Sequence, residues 1–144
     1  MNKKNKSVNF EKFFANYLLT LSNTVKKINL DNLYKAANLI TKTIKKNKFI
    51  YICGNGGSAA IADHYMCDYF KGLSKYTNLK AKIRSLNSDS YLISAISNDI
   101  SYDQIFKLQA ERYINKEDIL ILISSSGNSK NIKEVLKFCN KKKL

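Results

Sequence analysis

The sequence predicts an α/β fold, a parallel sheet flanked by helices, on three observations. Two short apolar runs, 49–53 (Phe-Ile-Tyr-Ile-Cys) and 119–123 (Ile-Leu-Ile-Leu-Ile), each pass into a Gly/Ser/Asn-rich turn and then into residues of helical spacing. Strands that alternate with helices join parallel neighbours through right-handed crossovers. Size and composition are the third: 144 residues, 44% of them hydrophobic, with nine Tyr and seven Phe, suffice for one core and argue against disorder.

Residues 9–27 bring Phe10, Phe13, Phe14, Tyr17, Leu18 and Leu21 onto one side of an amphipathic helix. A second helix is predicted from an Asp31 cap to about Lys46, with Leu33, Ala36, Ala37, Ile40 and Ile44 on one face. Such helices either cover the sheet or, with so aromatic a stripe, form a subunit interface. Residues 1–47 are therefore read as a helical oligomerisation segment and 48–144 as the sheet domain. There the order is a strand at 49–53, a helix at 59–70, a strand at 81–86, helices at 91–96 and 103–113, a strand at 119–123 and a helix at 129–140. The unbroken Ile/Leu run at 119–123 predicts a central strand buried on both faces. Three strands are few for a doubly wound domain, and the sequence closes directly behind a helix, so the sheet is expected to be truncated at its C-terminus.

Charge narrows the partners. The formal charge of +14 invites a nucleic-acid reading, but of 25 basic residues only Arg84 and Arg112 are arginine, the residue that base readout and phosphate forks favour. A Lys-rich solvated surface explains the charge without nucleic acid. No apolar run approaches the ~18 residues of a membrane span, and the basic N-terminus lacks the apolar stretch of a secretory signal. Cys53, Cys67 and Cys139 are odd in number and widely spaced, which suggests neither a disulfide framework nor a zinc knuckle but buried thiols in a reducing, cytoplasmic compartment.

The turns carry the chemistry. Gly54-Asn-Gly-Gly-Ser-Ala59 satisfies the G-x-G-x-x-G/A pattern, a weak signal alone. A dinucleotide site also needs an acid at the end of the second strand for the ribose; residues 76–80 contain none, and Asp89 comes too late. The doubled glycine followed by Ser58 suits close approach of a sugar or phosphate to backbone N–H groups and a helix N-terminus. The second turn, Ser124-Ser-Ser-Gly-Asn-Ser129, places four hydroxyls and a glycine in six residues, more than helix capping requires. Neither turn holds a Walker Gly-Lys-Ser/Thr, so nucleoside triphosphate hydrolysis is not indicated. Two anion cradles in one small domain imply one phosphorylated ligand.

With Asn98-Asp99 between them, the two turns resemble the sugar isomerase (SIS) domain, and within it the phosphoheptose isomerases, over nearly the whole chain. The resemblance implies a flavodoxin-like three-layer αβα sandwich with two leading helices at the core of a cytoplasmic homotetramer. It implies interconversion of sedoheptulose 7-phosphate and D-glycero-D-manno-heptose 7-phosphate for lipopolysaccharide or capsule synthesis. It assigns substrate contacts to Asn55, Gly56, Gly57 and Ser58, to Asn98 and Asp99, and to Ser124, Ser125, Ser126 and Ser129. The family's His falls on His64, six residues past Ser58 and the sole histidine here. With the acid one turn later, Asp68, it would act in catalysis and supply two ligands to one zinc per subunit.

This chain departs from the pattern in two ways. The family's acid is usually Glu, and Asp68 draws the carboxylate back by about 1 Å, enough to matter for proton transfer. The Gln and second His that relatives carry beyond two further strands have no counterpart in this sequence. Asp63 is an alternative acid on a different helix face. The functions that follow as expectations are an aldose–ketose isomerase with Asp68 as base or, as the alternative, a non-catalytic phosphosugar-binding SIS protein or inactive truncated isomerase.

Overall fold

The computed structural model describes residues 9–143. The chain forms two compact units, one ending at Ala37 and one beginning at Asn38. The first contains α1 (Phe10–Val25), and α2 (Leu30–Lys45) begins in it. Asn9 caps α1, its Oδ1 accepting from Lys12 N at 2.9 Å. No residue of α1 is buried: Phe10, Phe13, Phe14, Tyr17, Leu18 and Leu21 all stay exposed. The cap of α2 is Asn29 instead of the expected Asp31. Asn29 Oδ1 accepts from Asn32 N at 2.9 Å, and Asp31 lies inside the first turn. Asn caps as well as Asp does, so the residue that stands before the helix takes the role.

In the second unit three parallel strands, β1 (Phe49–Gly54), β2 (Lys82–Ser85) and β3 (Ile119–Ile123), form a sheet in the order β2-β1-β3. β1 leads into α3 (Gly57–Cys67), which passes through a π-helical stretch, Asp68–Leu73, into the short α4 (Ser74–Tyr76). Beyond β2 come α5 (Ser90–Asp99), a 3₁₀ turn at Tyr102–Gln104 and α6 (Ile105–Tyr113); α7 (Lys130–Lys142) follows β3.

Alternation along the central strand makes the layers. Tyr51 and Cys53 face one side, in a core with Ile96 of α5, Phe106 and Ala110 of α6 and Ile132 and Val135 of α7. Ile50 and Ile52, both fully buried, face the other, which α3 covers. A side chain of Phe106's size, wholly removed from water, contributes on the order of 1.5–3 kcal/mol of burial free energy. Two polar groups tie the layers. Gln109 Nε2 donates to the carbonyls of Leu86 and Ile105 at 3.0 Å each. Buried Asp118 accepts from Phe49 N at 2.8 Å and from Asn115 N at 2.9 Å, joining the entrance of β3 to the start of β1.

Two expectations are corrected. β3 is an edge strand of the described sheet and is half-buried throughout, whereas β1 is the strand covered on both faces. The apolar side chains of β3 line a groove of about 500 Å³ with Leu136 and Cys139. An Ile/Leu run signals burial potential, and strand order decides where it is realised. The thiols also differ from one another: Cys53 is buried, Cys139 half-buried and Cys67 exposed. Burial, with Cys139 nearby, pushes the Cys53 thiol up to about 12 and keeps it protonated.

Candidate functional site

Strand order puts the two turns side by side. From β1 the chain goes to a neighbour on one side, β2, and then crosses to the other side to form β3. Ligands of open α/β sheets bind beyond the carboxyl ends of strands at such a reversal. β1 and β3 pair in the register Gly54↔Ile123, so Asn55 and Ser124 leave the sheet at the same level. Adjacent strands lie about 4.8 Å apart, well inside the reach of one phosphosugar.

Local chemistry shapes each turn. Gly56 has φ +52°, and Gly127 has φ +63°, the left-handed region that favours glycine. A Cβ on Gly54 would lie 2.6 Å from Ser58 Cβ and 2.7 Å from the Ser58 carbonyl, so β1 and α3 pack too closely there for any side chain. The Gly54 peptide is bracketed by Asn87, which accepts from Gly54 N at 3.1 Å and donates to Gly54 O at 2.8 Å. At Gly56, Gly57 and Gly127, by contrast, a Cβ would meet open space.

In the first turn Ser58 N is spent on Asn55 O at 2.9 Å. In the second, Ser124 Oγ accepts from Gly127 N and Ser126 Oγ from Asn128 N, each at 3.1 Å. Both hydroxyl oxygens thus brace the loop while their O–H groups remain able to donate. Ser129 stands at the N-cap of α7, yet its hydroxyl makes no capping bond, and α3 starts behind Gly56, which has no side chain to cap with. Neither N-cap residue caps its helix with a side chain, and both helices present N-terminal dipoles to the turns.

A knot of amides connects the turns. Asn55 Nδ2 donates to Asn131 Oδ1 at 2.9 Å, and Asn131 Nδ2 donates back to Asn55 Oδ1 at 2.8 Å. Tyr102, in the 3₁₀ turn behind α5, donates its hydroxyl to Asn55 Oδ1 at 3.0 Å. Asn98 and Asp99 close α5 and are exposed, with Asn98 Nδ2 donating to Asp99 Oδ1 at 2.8 Å. Sequence reasoning missed Asn131, Tyr102 and Asn87. For Asn131 a signal existed: it lies one helical turn before Val135, a polar residue on the apolar stripe of α7.

His64 and Asp68 share a face of the helix that leaves the first turn, Nδ1 to Oδ2 at 3.0 Å. His64 lies about 9 Å along the helix axis from Ser58. The pair is well exposed, 77% and 65% by side chain. Asp68 opens the π-helical stretch, a distortion often found at functional sites. Beside them Tyr65 stacks on Tyr69 at 4.4 Å, and burial together with that neighbour raises the Tyr65 phenol. Asp63 lies about 100° round the helix, its Oδ1 buried without a partner. As metal ligands His64 and Asp68 supply two donors, and among the described residues no group of three or more His, Cys, Asp or Glu could hold an ion. Zinc takes four ligands, so the residues present do not make a zinc site by themselves.

Asp89, too late in sequence for a ribose contact, is committed to Arg84 at 2.6 Å.

The sequence matches the SIS domain across residues 12–144. The chain belongs to the SIS domain family. This SIS domain is 41% identical over 100 residues to the phosphoheptose isomerase of Helicobacter pylori (strain P12), covering 69% of this chain and 52% of that protein. It is 37% identical over 134 residues to phosphoheptose isomerase 2 of Campylobacter jejuni subsp. jejuni serotype O:2, covering 91% of this chain and 65% of that protein. Its fold matches the solved phosphoheptose isomerase GmhA from Neisseria gonorrhoeae with a TM-score of 0.78 at 29% identity, over 91% of this chain and 68% of that one. The chain thus spans little more than half the length of the first of these relatives, 52%.

The three glycines of the first turn separate packing from ligand approach. Gly54→Ala should cost about 2 kcal/mol or more, because rigid backbone must move. Gly57→Ala, in open space at a helix start, should leave stability unchanged or raise it by up to ~1 kcal/mol while weakening any anion binding in which the turn takes part. Urea unfolding and calorimetric titration read the two effects; a Gly57→Ala protein that binds normally would remove Gly57 from the site.

Proposed function

We propose that this SIS domain binds a seven-carbon sugar phosphate in its paired turns and serves the isomerisation of sedoheptulose 7-phosphate to D-glycero-D-manno-heptose 7-phosphate. The observation that carries the reading is the Gly54↔Ile123 register, which aligns two glycine/serine turns over helix starts whose N-cap residues make no capping bond. The names of the relatives supply the heptose. Gly56, Gly57, Ser58, Ser124, Ser125, Ser126 and Ser129 would hold the phosphosugar, with Asn55, Asn98 and Asp99 toward its hydroxyl and carbonyl oxygens. Asp68 would take the C1 proton of the ketose to give a cis-enediol and return it at C2, while His64 moves the proton between the two oxygens. Zinc would need donors beyond His64 and Asp68, and no step is assigned to it.

One observation favours the alternative, a phosphosugar-binding protein without turnover: the His64–Asp68 pair is open to solvent, whereas an effective carboxylate base is normally desolvated. A coupled aldose assay on sedoheptulose 7-phosphate, with and without zinc, separates the two. Aldose formation that falls at least 100-fold in His64→Ala and Asp68→Ala is expected of the isomerase. Calorimetric binding without product above those variants would establish the binding protein instead, and absence of both would end the sugar-phosphate reading.

We propose further that α1 mates with copies of itself in a homotetramer, the assembly that the family resemblance implies. Its support is a 16-residue helix with no buried residue and an exposed aromatic stripe, including stacked Phe10 and Phe14. The setting proposed is the cytoplasm, and among the described residues no helix is long and apolar enough to cross a membrane. Light scattering should give a tetramer that Phe13→Asp/Tyr17→Asp reduces to a smaller species; a monomeric wild type would refute the assembly.

A further inference from the structure

We infer that Asn131 is a positioning residue: it fixes the Asn55 amide so that Asn55 meets the ligand only as a hydrogen-bond donor. The backbone N–H of Ile132 can only donate, and it donates to Asn131 Oδ1 at 2.9 Å. That contact orients the Asn131 amide, whose oxygen and nitrogen ends are alike in shape. With Asn131 oxygen placed, the atom of Asn55 facing it at 2.9 Å must be the donor Nδ2, and the atom facing Asn131 Nδ2 at 2.8 Å must be Oδ1.

The polarity then passes outward. Asn55 Oδ1 takes Asn131 Nδ2 and the Tyr102 hydroxyl, and a carbonyl oxygen has two lone pairs. Its accepting capacity is full. Asn55 Nδ2 carries two N–H groups, one spent on Asn131 Oδ1, so one N–H is left for the cradle. A donor there selects an acceptor oxygen, as on a phosphate or a sugar carbonyl, and disfavours a ligand that offers only an ammonium or another obligate donor. Asn131 is 2% exposed, which shields the amide pair from the water that would otherwise let either side chain turn over. The same knot holds three segments together: the first turn through Asn55, the start of α7 through Asn131 and the turn behind Asn98-Asp99 through Tyr102. Asn131 and Tyr102 therefore act through Asn55 and not on the ligand.

The role presupposes the sugar-phosphate reading proposed above, and a double-mutant cycle tests it. Calorimetric titration with sedoheptulose 7-phosphate should show binding weakened about tenfold by Asn55→Ala and by Asn131→Ala, one hydrogen bond's worth. The double variant should be no weaker than Asn55→Ala alone. Effects that multiply would overturn the inference, since Asn131 would then act independently of Asn55. Because Asn131→Ala empties a buried position, Tyr102→Phe is the variant safe for folding: Tyr102 is 52% exposed. It should weaken binding two- to fivefold in the wild-type background and change nothing in Asn55→Ala. A ligand-free readout decides the case even if the wild type binds no sugar phosphate, the outcome that would refute the proposed function. The side-chain amide NMR signals of Asn55 should move in Tyr102→Phe and in Asn131→Asp, and signals unmoved in both would overturn the positioning role.

Discussion

The parallel pairing of β1 with β3 is the constraint on which the rest depends. Its register sends the chain out of the sheet at Gly54 and Ile123 on the same level, and everything functional about the molecule follows from what those two exits do next. Had β3 slipped by one residue, its side chains would have changed faces and the second turn would have moved along the strand. Asp118 fixes the entrance of the pair by accepting from Phe49 N, and the Asn55–Asn131 amides fix the exit. The register is thus held by specific polar bonds at both ends and by apolar burial between them.

The cradle and the acid/base couple have different physical standing. The turns are built into the frame: Gly54 is sterically obligatory, Asn87 brackets its peptide, and Ser124 and Ser126 brace the second loop with their own oxygens. Among the described residues the side chains of His64 and Asp68 pair with each other, on an exposed face at the junction with a π-helical stretch. The anion site proposed for the turns would work through dipoles and donors fixed in advance. Proton transfer demands a base brought to within hydrogen-bond reach of carbon, in a place sheltered from water.

Much of this was legible in the sequence. The period and composition of 49–53 and 119–123 gave the strands, and the Gly/Ser runs behind them gave the turns, because both signals are local. What escaped depends on tertiary placement. The Ile/Leu run reads as doubly buried, yet strand order leaves β3 at the edge with a groove beside it. Asp31 is as good a cap as Asn29 on paper, and only the helix start decides between them. Cys67 follows the apolar spacing of α3 but falls on its open side. Asn131 looks like one more surface amide in an Asn-rich chain until Asn55, 76 residues away, turns out to be its partner.

The central claim is that the two turns hold one ligand between them, and backbone amide NMR during titration with sedoheptulose 7-phosphate tests it most directly. The amides of 56–58 and of 124–129 should shift together, fit a single dissociation constant and saturate at one equivalent. Shifts confined to one turn, or two turns titrating with separate constants, would contradict it.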